Sequence, residues 1–129
     1  MTKTVLADDV RRFVLTSVPS VPYAEAMLLM RRKPDAAWDA QRLARRLYVS
    51  EAQAFDLLHK LSAAGVAGRI SEDGSEFSYR PATPELSARV DAFAESYRNN
   101  LMEVTALIHS PVERRAHQFA DAFRWKKDQ

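Results

Sequence analysis

The sequence predicts a mostly α-helical protein with one small β-hairpin. The first observation is a pair of short amphipathic helices joined by a tight turn, in residues 38–65. The second is an alternation of apolar residues on both sides of an Asp-Gly turn, in residues 66–80, which is typical of a β-hairpin. The third is an apolar repeat with helical spacing in residues 86–108, which predicts a long helix. A short C-terminal helix is expected after it.

The composition limits the classes of protein to consider. A chain of 129 residues suits either one domain or a small domain with a helical extension. It contains no cysteine, which excludes disulfides, thiolate metal ligands and cysteine nucleophiles and fits a reducing cytoplasm. The longest apolar cluster, residues 24–30, is interrupted by Glu25 and is too short to span a bilayer. We therefore expect a cytoplasmic protein without a membrane partner.

Two helices are expected before the helix pair. Asp8 and Asp9 stand at the start of an amphipathic segment that ends before Pro19, and acidic residues stabilise the N-terminal end of a helix. Pro22 then opens a segment, residues 23–30, that is apolar on almost every side. This second helix is expected to lie at the centre of the core.

The helix pair carries start and stop signals at suitable places. Asp39 is a good N-cap for the first helix, and Ser50 with Gln53 three residues later has the form of a capping box for the second. Gly65 is the expected stop, because glycine enters the left-handed conformation freely. Two helices this short with so tight a turn have the pattern of a helix-turn-helix.

The hairpin follows the pair directly. Residues 66–70 alternate before its turn, and Phe77 and Tyr79 alternate after it. A helix, a helix-turn-helix and a β-hairpin in this order make up a winged helix, in which the hairpin is the wing (about residues 66–80). Trp38 precedes the first helix of the pair, at a place where winged helices often have a short third strand.

The chain divides into a winged helix-turn-helix domain (residues 1–82) and a C-terminal helical extension (residues 83–129). Thr83, Pro84 and Glu85 form a strong helix start. The helix that follows is expected to run to residue 108 with one continuous apolar seam, which consists of Leu86, Val90, Phe93, Tyr97, Leu101, Val104 and Ile108.

This seam predicts a homodimer, because its length exceeds what one side of a small winged domain covers. The alternative is that the seam folds back onto residues 10–18 of the same chain. A last helix begins at Pro111 and is expected to have a narrow apolar face, which consists of Val112, Ala116, Phe119, Ala120 and Phe123.

Residues 21–79 resemble bacterial winged helix-turn-helix proteins of the MarR-like kind. The resemblance is carried by the segments WDAQRLARRLYVS, AFDLLHKLSAAGV and ISEDGSEFSYR. Tyr48 stands in the turn of the pair, where related sequences often have glycine. The tail, with its FADAF segment, is similar to that of small uncharacterised proteobacterial winged-helix proteins. The resemblance implies transcription regulation by a dimer that binds duplex DNA, with the second helix of the pair in the major groove and the wing beside it.

The candidate DNA-binding residues lie on both helices of the pair. In this fold the first helix crosses the phosphate backbone, and residues 31–46 carry a net charge of +4. On the second helix Ala54, Leu57, Leu58 and Leu61 recur at helical spacing and are expected to face inward, which leaves Asp56 and His59 facing outward. Gln53 qualifies for reading base edges and Lys60 for touching phosphate. The residues expected to contact DNA are Arg42, Arg45, Arg46, Ser50, Gln53, His59 and Lys60.

The charge of the second helix and the wing favours a different function. Residues 50–80 contain three basic and five acidic residues, and the wing tip, residues 72–75, carries no cation. A surface with this charge repels a polyanion. The alternative is therefore a winged-helix module that binds protein and not DNA, with Phe55, Asp56 and His59 as a partner patch.

No pattern in the sequence indicates an enzyme or a metal site. The three histidines are scattered, and no pair has the spacing of a helical zinc site. The sequence has no glycine-rich phosphate loop and no nucleophile elbow. We expect no catalytic activity, no metal and no cofactor.

Overall fold

Seven helices and one two-stranded antiparallel sheet make up the described part of the chain. The computed structural model describes the backbone of residues 6–127 and the side chains of residues 6–122. The predicted class, a mostly α-helical winged helix-turn-helix with one small β-hairpin, is confirmed. In chain order the elements are α1 (Asp8–Ser17), α2 (Val21–Arg32), α3 (Ala40–Leu47), α4 (Glu51–Ala63), β1 (Ala67–Arg69), β2 (Phe77–Tyr79), α5 (Pro84–Asn99), α6 (Leu101–Ile108) and α7 (Pro111–Lys127).

The helix pair consists of α3 and α4, and both predicted N-caps are confirmed. The side chain of Asp39 accepts a hydrogen bond from the backbone N–H of Arg42 at 2.8 Å. The hydroxyl oxygen of Ser50 accepts from the backbone N–H of Gln53 at 3.0 Å. These bonds satisfy N–H groups that the first turn of a helix leaves without a partner. The inner face of α4 is buried as predicted, and it consists of Ala54, Leu57, Leu58 and Leu61.

Tyr48 forms the turn between α3 and α4 with a left-handed backbone, at φ 59° and ψ 43°. The backbone N–H groups of Tyr48 and Val49 both donate to the carbonyl oxygen of Ala44, the latter at 3.1 Å. This pattern ends a helix in the manner usual for glycine. An L side chain in this conformation costs about 1–2 kcal/mol, so the turn of the helix pair is strained.

The wing is held to the helix pair by Trp38. β1 and β2 pair in the register Ala67 to Tyr79, and the short third strand expected at Trp38 is confirmed as a single bridge. The backbone N–H of Trp38 donates to the carbonyl oxygen of Phe77, and the N–H of Phe77 donates to the carbonyl oxygen of Trp38, both at 2.8 Å. The wing is thereby tied to the segment that leads into α3.

Asp73 organises the wing tip. Its Oδ1 accepts from the hydroxyl of Ser75 at 2.7 Å, from the hydroxyl of Ser71 at 2.8 Å and from the backbone N–H of Ser75 at 3.0 Å. These donors, led by the two hydroxyls, hold the pKa of the Asp73 carboxyl below its ordinary value. The turn is completed by Gly74, which has a φ of 74°.

The predicted helix from Pro84 to Ile108 is not continuous, which corrects the sequence analysis. Asn100, with φ −135° and ψ 47°, separates α5 from α6. Asparagine is a weak helix former because its side chain competes for backbone hydrogen bonds, and Asn99 precedes Asn100 here. The bend lets α5 and α6 both contact α1.

The apolar seam is covered mainly by α1 of the same chain. This was the alternative to its being covered by a second copy of the chain. The ring centroids of Phe13 on α1 and Phe93 on α5 are 5.9 Å apart. Within one chain Val90, Phe93, Val104 and Ile108 are buried, Leu86 and Tyr97 are half-buried, and Leu101 is exposed. The length of the seam therefore does not require a dimer. One hydrophobic core also runs across the expected boundary at residue 82.

The last helix packs on α1 through its polar side. Nη2 of Arg114 donates to the carbonyl oxygens of Val18 at 2.6 Å and Ile108 at 2.9 Å, which joins the C-terminal ends of α1 and α6. Arg11 on α1 pairs with Glu113 on α7. The predicted apolar face of α7 is exposed at Val112, Ala116, Phe119 and Ala120, and the side chain of Phe123 lies outside the described residues.

Among the described residues, no single helix is long and apolar enough to cross a membrane. The pair α1 and α2 reaches the necessary length and composition, but the two helices are bent by 112° at their break. Both contribute apolar side chains to the core.

Candidate nucleic-acid interface

The helix pair and the wing tip form one continuous surface. Gln41 on α3 lines a cleft of about 240 Å³ together with Phe55 on α4 and Gly74 at the wing tip. Gln41 also lines an open groove with Arg45 and Tyr48 towards the turn of the pair. Because Gln41 belongs to both, the surface extends from the turn to the wing tip. We call it the α3–α4–wing surface.

The exposed face of α4 carries Gln53, Asp56 and Lys60. Nζ of Lys60 lies 2.9 Å from Oδ2 of Asp56, and both side chains are more than half exposed. Such a pair stabilises a helix by at most about 0.5 kcal/mol, so a phosphate can compete for the lysine. The hydroxyl of Ser50 accepts from Gln53 and still has its own O–H to donate.

His59 does not face outward as the sequence analysis expected. Its Nδ1 lies 2.9 Å from the carbonyl oxygen of Phe55, and a carbonyl oxygen only accepts, so Nδ1 carries the proton. The imidazole centroid is 4.0 Å from that of the Phe55 ring and 5.4 Å from that of Phe77. The side chain is half-buried and packs between α4 and the wing, because two aromatic rings provide a better contact there than solvent does.

Arg42 is also only partly exposed to solvent, because its side chain packs against the segment before α3. Its guanidinium carbon lies 4.3 Å from the centroid of the buried Trp38 ring. Nη1 of Arg42 donates to the carbonyl oxygen of Ala37 at 2.6 Å. The side chain is half-buried and holds the segment before α3 against the helix.

The remaining arginines of α3 are exposed. Arg46 lies farther from Trp38 than Arg42 does, with its guanidinium carbon 5.9 Å from the ring centroid. Arg45 lines the open groove beside Tyr48 and Glu51. These two side chains give α3 its positive charge at the surface.

Arg69 is a further candidate contact, which was counted among the basic residues of the wing but not among those expected to bind DNA. It ends β1, but its side chain extends along the wing, so that a Cβ on Gly74 would lie 3.8 Å from its Nη1. The guanidinium therefore reaches the wing tip, which carries no basic residue of its own. The register of the hairpin, which places Arg69 next to the turn, is the signal that points to it.

No group of three or more His, Asp or Glu side chains that could hold a metal ion is present among the described residues. The histidines at 59 and 117 have separate surroundings. His59 packs on two phenylalanines, whereas Nε2 of His117 lies 3.2 Å from Oδ2 of Asp121.

No protein-family model matches the chain, and no curated protein matches its sequence. Solved structures do match. A MarR family transcriptional regulator from Streptomyces coelicolor is 16% identical, with a TM-score of 0.55 over 96% of this chain and 84% of that chain. A transcriptional regulator from Thermotoga maritima is 13% identical, with a TM-score of 0.52 over 93% and 82%. MepR, a transcription regulator of the Staphylococcus aureus multidrug efflux pump MepA, is 12% identical, with a TM-score of 0.51 over 93% and 90%.

At these identities the likeness shows a shared fold. The resemblance to MarR-like winged-helix proteins is confirmed at that level. It extends to the helices after residue 83, which the three resembling sequence segments did not include. All three of these structures are named as transcriptional regulators.

Proposed function

We propose that the chain is a bacterial, cytoplasmic winged-helix protein that regulates transcription by binding duplex DNA as a homodimer. The observation that carries the proposal is the continuous α3–α4–wing surface, which a helix and a wing of this kind can present to a duplex. The likeness to solved transcriptional regulators over more than nine-tenths of the chain supports it. The exposed cations of the surface are Arg45, Arg46, Lys60 and Arg69.

In this proposal α4 enters the major groove. The amide of Gln53 contacts a base edge there, most simply the N6 and N7 atoms of adenine. The hydroxyl of Ser50 and the ammonium of Lys60 bind phosphates at the two ends of the helix. Arg69 follows the adjacent backbone from the wing tip.

Arg42 and His59 support this surface from inside. Arg42 holds the start of α3 against Trp38, and His59 fills the space between α4 and Phe77 on the wing. Both therefore contribute to DNA binding by keeping the helix pair and the wing in a fixed relation.

The acidic residues of the surface are partly compensated within the chain. Asp56 pairs with a lysine, and Asp73 accepts three hydrogen bonds at the wing tip. Three acids on the surface have no such partner, namely Glu51, Glu72 and Glu76. Their charge reduces the net positive charge of the α3–α4–wing surface, so we expect a modest non-specific affinity for DNA. The logarithm of the binding constant falls with the logarithm of the salt concentration, with a slope of about −0.9 for each phosphate neutralised.

Fluorescence anisotropy at low salt tests the proposal. A labelled mixture of duplexes is titrated with protein, and we expect saturable binding at micromolar protein concentration that weakens as salt is added. The absence of binding under these conditions would overturn the proposal.

The homodimer is supported by large apolar side chains that one chain leaves exposed on α6 and α7. Met102 is 85% exposed and Val112 is 65% exposed, and Leu101 of the seam is exposed beside Met102. Exposed apolar side chains in such number mark an interaction surface more often than a free one. Light scattering is expected to give about twice the 14.6 kDa of one chain.

Charge substitutions locate the dimer surface. Met102→Glu and Val112→Glu are expected to shift the protein towards the monomer, since a buried unpaired carboxylate is costly. Ala88→Glu, at an exposed position of α5, is the matched control and leaves the mass unchanged. A monomeric mass for the unsubstituted protein at high concentration contradicts this part of the proposal.

The alternative of a protein-binding module that does not bind DNA finds no support in the named solved structures. Its motivation was the acidic charge of α4 and the wing, together with an outward-facing His59. The structure turns His59 towards the wing and brings Arg69 to the wing tip, which weakens that motivation.

A further inference from the structure

Tyr48 combines a disfavoured backbone with an exposed aromatic side chain. It is the one non-glycine residue with a positive φ in the described part of the chain, at 59°. Its side chain is 94% exposed, the largest exposed fraction among the large apolar and aromatic residues described. A bulky residue in the left-handed region is a genuine outlier, and such outliers concentrate at functional positions.

The folded chain does not compensate this strain. The hydrogen bonds that close the turn use the backbone N–H groups of Tyr48 and Val49, which glycine at position 48 would provide equally well. An exposed ring adds almost no packing inside the chain. The contacts within the folded chain therefore do not explain a tyrosine at this position.

The surroundings of Tyr48 indicate the chemistry of a contact outside the folded chain. The residue borders the open groove that contains Arg45 from α3 and Glu51 at the start of α4. Arg45 and the N-terminal end of α4 are positive, Glu51 is the one acid that lines the groove, and the phenol is a hydrogen-bond donor. Donors beside an exposed guanidinium suit a phosphate oxygen.

We infer that Tyr48 donates a hydrogen bond to a phosphate of duplex DNA beside Arg45, and that this contact retains a strained tyrosine in the turn. The inference rests on the proposed function and adds a contact that the sequence analysis did not include. Tyr48 lies on the turn and not on the exposed face of α4, so the contact goes to the backbone and is independent of base sequence.

Two substitutions separate the strain from the contact. Tyr48→Gly removes both, so the melting temperature rises by roughly 3–6 °C while DNA affinity falls about tenfold. Tyr48→Phe keeps the strain and removes only the hydroxyl, so the melting temperature stays and affinity again falls about tenfold. Ala88→Ser, at an exposed position of α5 away from the α3–α4–wing surface, is the control and retains binding in this assay.

A merely structural role for Tyr48 moves stability and affinity in the same direction, whereas this inference predicts opposite directions for Tyr48→Gly. Two labelled duplexes of unrelated sequence, titrated by anisotropy over a salt series, complete the test. We expect the affinity for both duplexes to fall by the same factor. Tyr48→Phe leaves the slope of log K against log salt unchanged, because no cation is lost.

The outcomes are distinguishable from those for the proposed function. If the unsubstituted protein binds DNA and both Tyr48 variants bind equally well, the inference is wrong and the proposed function stands. A lower melting temperature for Tyr48→Gly overturns the strain argument. If the unsubstituted protein does not bind DNA, the proposed function and this inference fail together.

Discussion

The guanidinium of Arg42 lies 4.3 Å from the centroid of the Trp38 ring, which is fully buried. Nη1 of Arg42 also donates a hydrogen bond to the carbonyl oxygen of Ala37. Because of these two contacts, the arginine fixes the segment before α3. We expect Arg42→Ala to lower the free energy of unfolding by about 2 kcal/mol, from the loss of the cation–π contact and the hydrogen bond. Urea unfolding followed by circular dichroism measures this, and an unchanged midpoint contradicts it.

Arg45 is the matched counterpart of Arg42 on the same helix. It is exposed and lines the groove at the turn, so Arg45→Ala is expected to change the free energy of unfolding by less than about 0.5 kcal/mol. If Arg45 binds a phosphate, the same substitution reduces the slope of log K against log salt by about 1. An unaltered slope, measured by anisotropy in a salt series, removes Arg45 from the interface.

The sequence predicted those features that depend on residues close together in the chain. The caps at Asp39 and Ser50, the buried leucines of α4 and the hairpin around Gly74 follow from local hydrogen bonding and helical or strand spacing. The backbone bridge at Trp38 followed from the order of elements in a winged helix.

The features that were missed depend on side-chain packing that the spacing of apolar residues does not show. His59 was expected outward from helical spacing, but the aromatic ring of Phe77 on the wing draws it inward. Arg42 was expected to be a free cation, but it packs on the aromatic ring of Trp38. The packing of the seam on α1 depends on the break at Asn100, which the apolar spacing did not predict. There two weak helix formers, Asn99 and Asn100, act together with the packing of α6.

Arg114 is expected to be important for stability although it lies far from the α3–α4–wing surface. It donates to the carbonyl oxygens of Val18 and Ile108, which lie at the C-terminal ends of α1 and α6, where the last carbonyl groups have no intrahelical partner. Arg114→Ala is expected to lower the free energy of unfolding by about 2–3 kcal/mol. Arg115→Ala, at the exposed neighbouring position, is the control and is expected to leave it nearly unchanged. Equal effects of the two substitutions in thermal unfolding contradict this role.

The wing tip is expected to respond to acid. The hydroxyls of Ser75 and Ser71 lower the pKa of the Asp73 carboxyl from its ordinary value, so its ionised form is favoured in the folded chain. The stabilising contribution is therefore present at neutral pH and is lost as the pH falls through the folded pKa. The backbone N–H of Ser75 donates to Asp73 at 3.0 Å, so its amide resonance is expected to titrate with a midpoint below the ordinary value for an aspartate side chain. A midpoint at or above that value, or no titration, contradicts the hydrogen-bonded turn.

The central claim is that the α3–α4–wing surface, and no other face of the chain, meets duplex DNA. Hydrogen–deuterium exchange of the protein with and without a saturating duplex tests it most directly. We predict that DNA slows exchange in α4 and in the wing tip around Asp73, and leaves α5 unchanged. Protection confined to α5, α6 and α7, or no protection in α4 under conditions where the protein binds DNA, would contradict the claim.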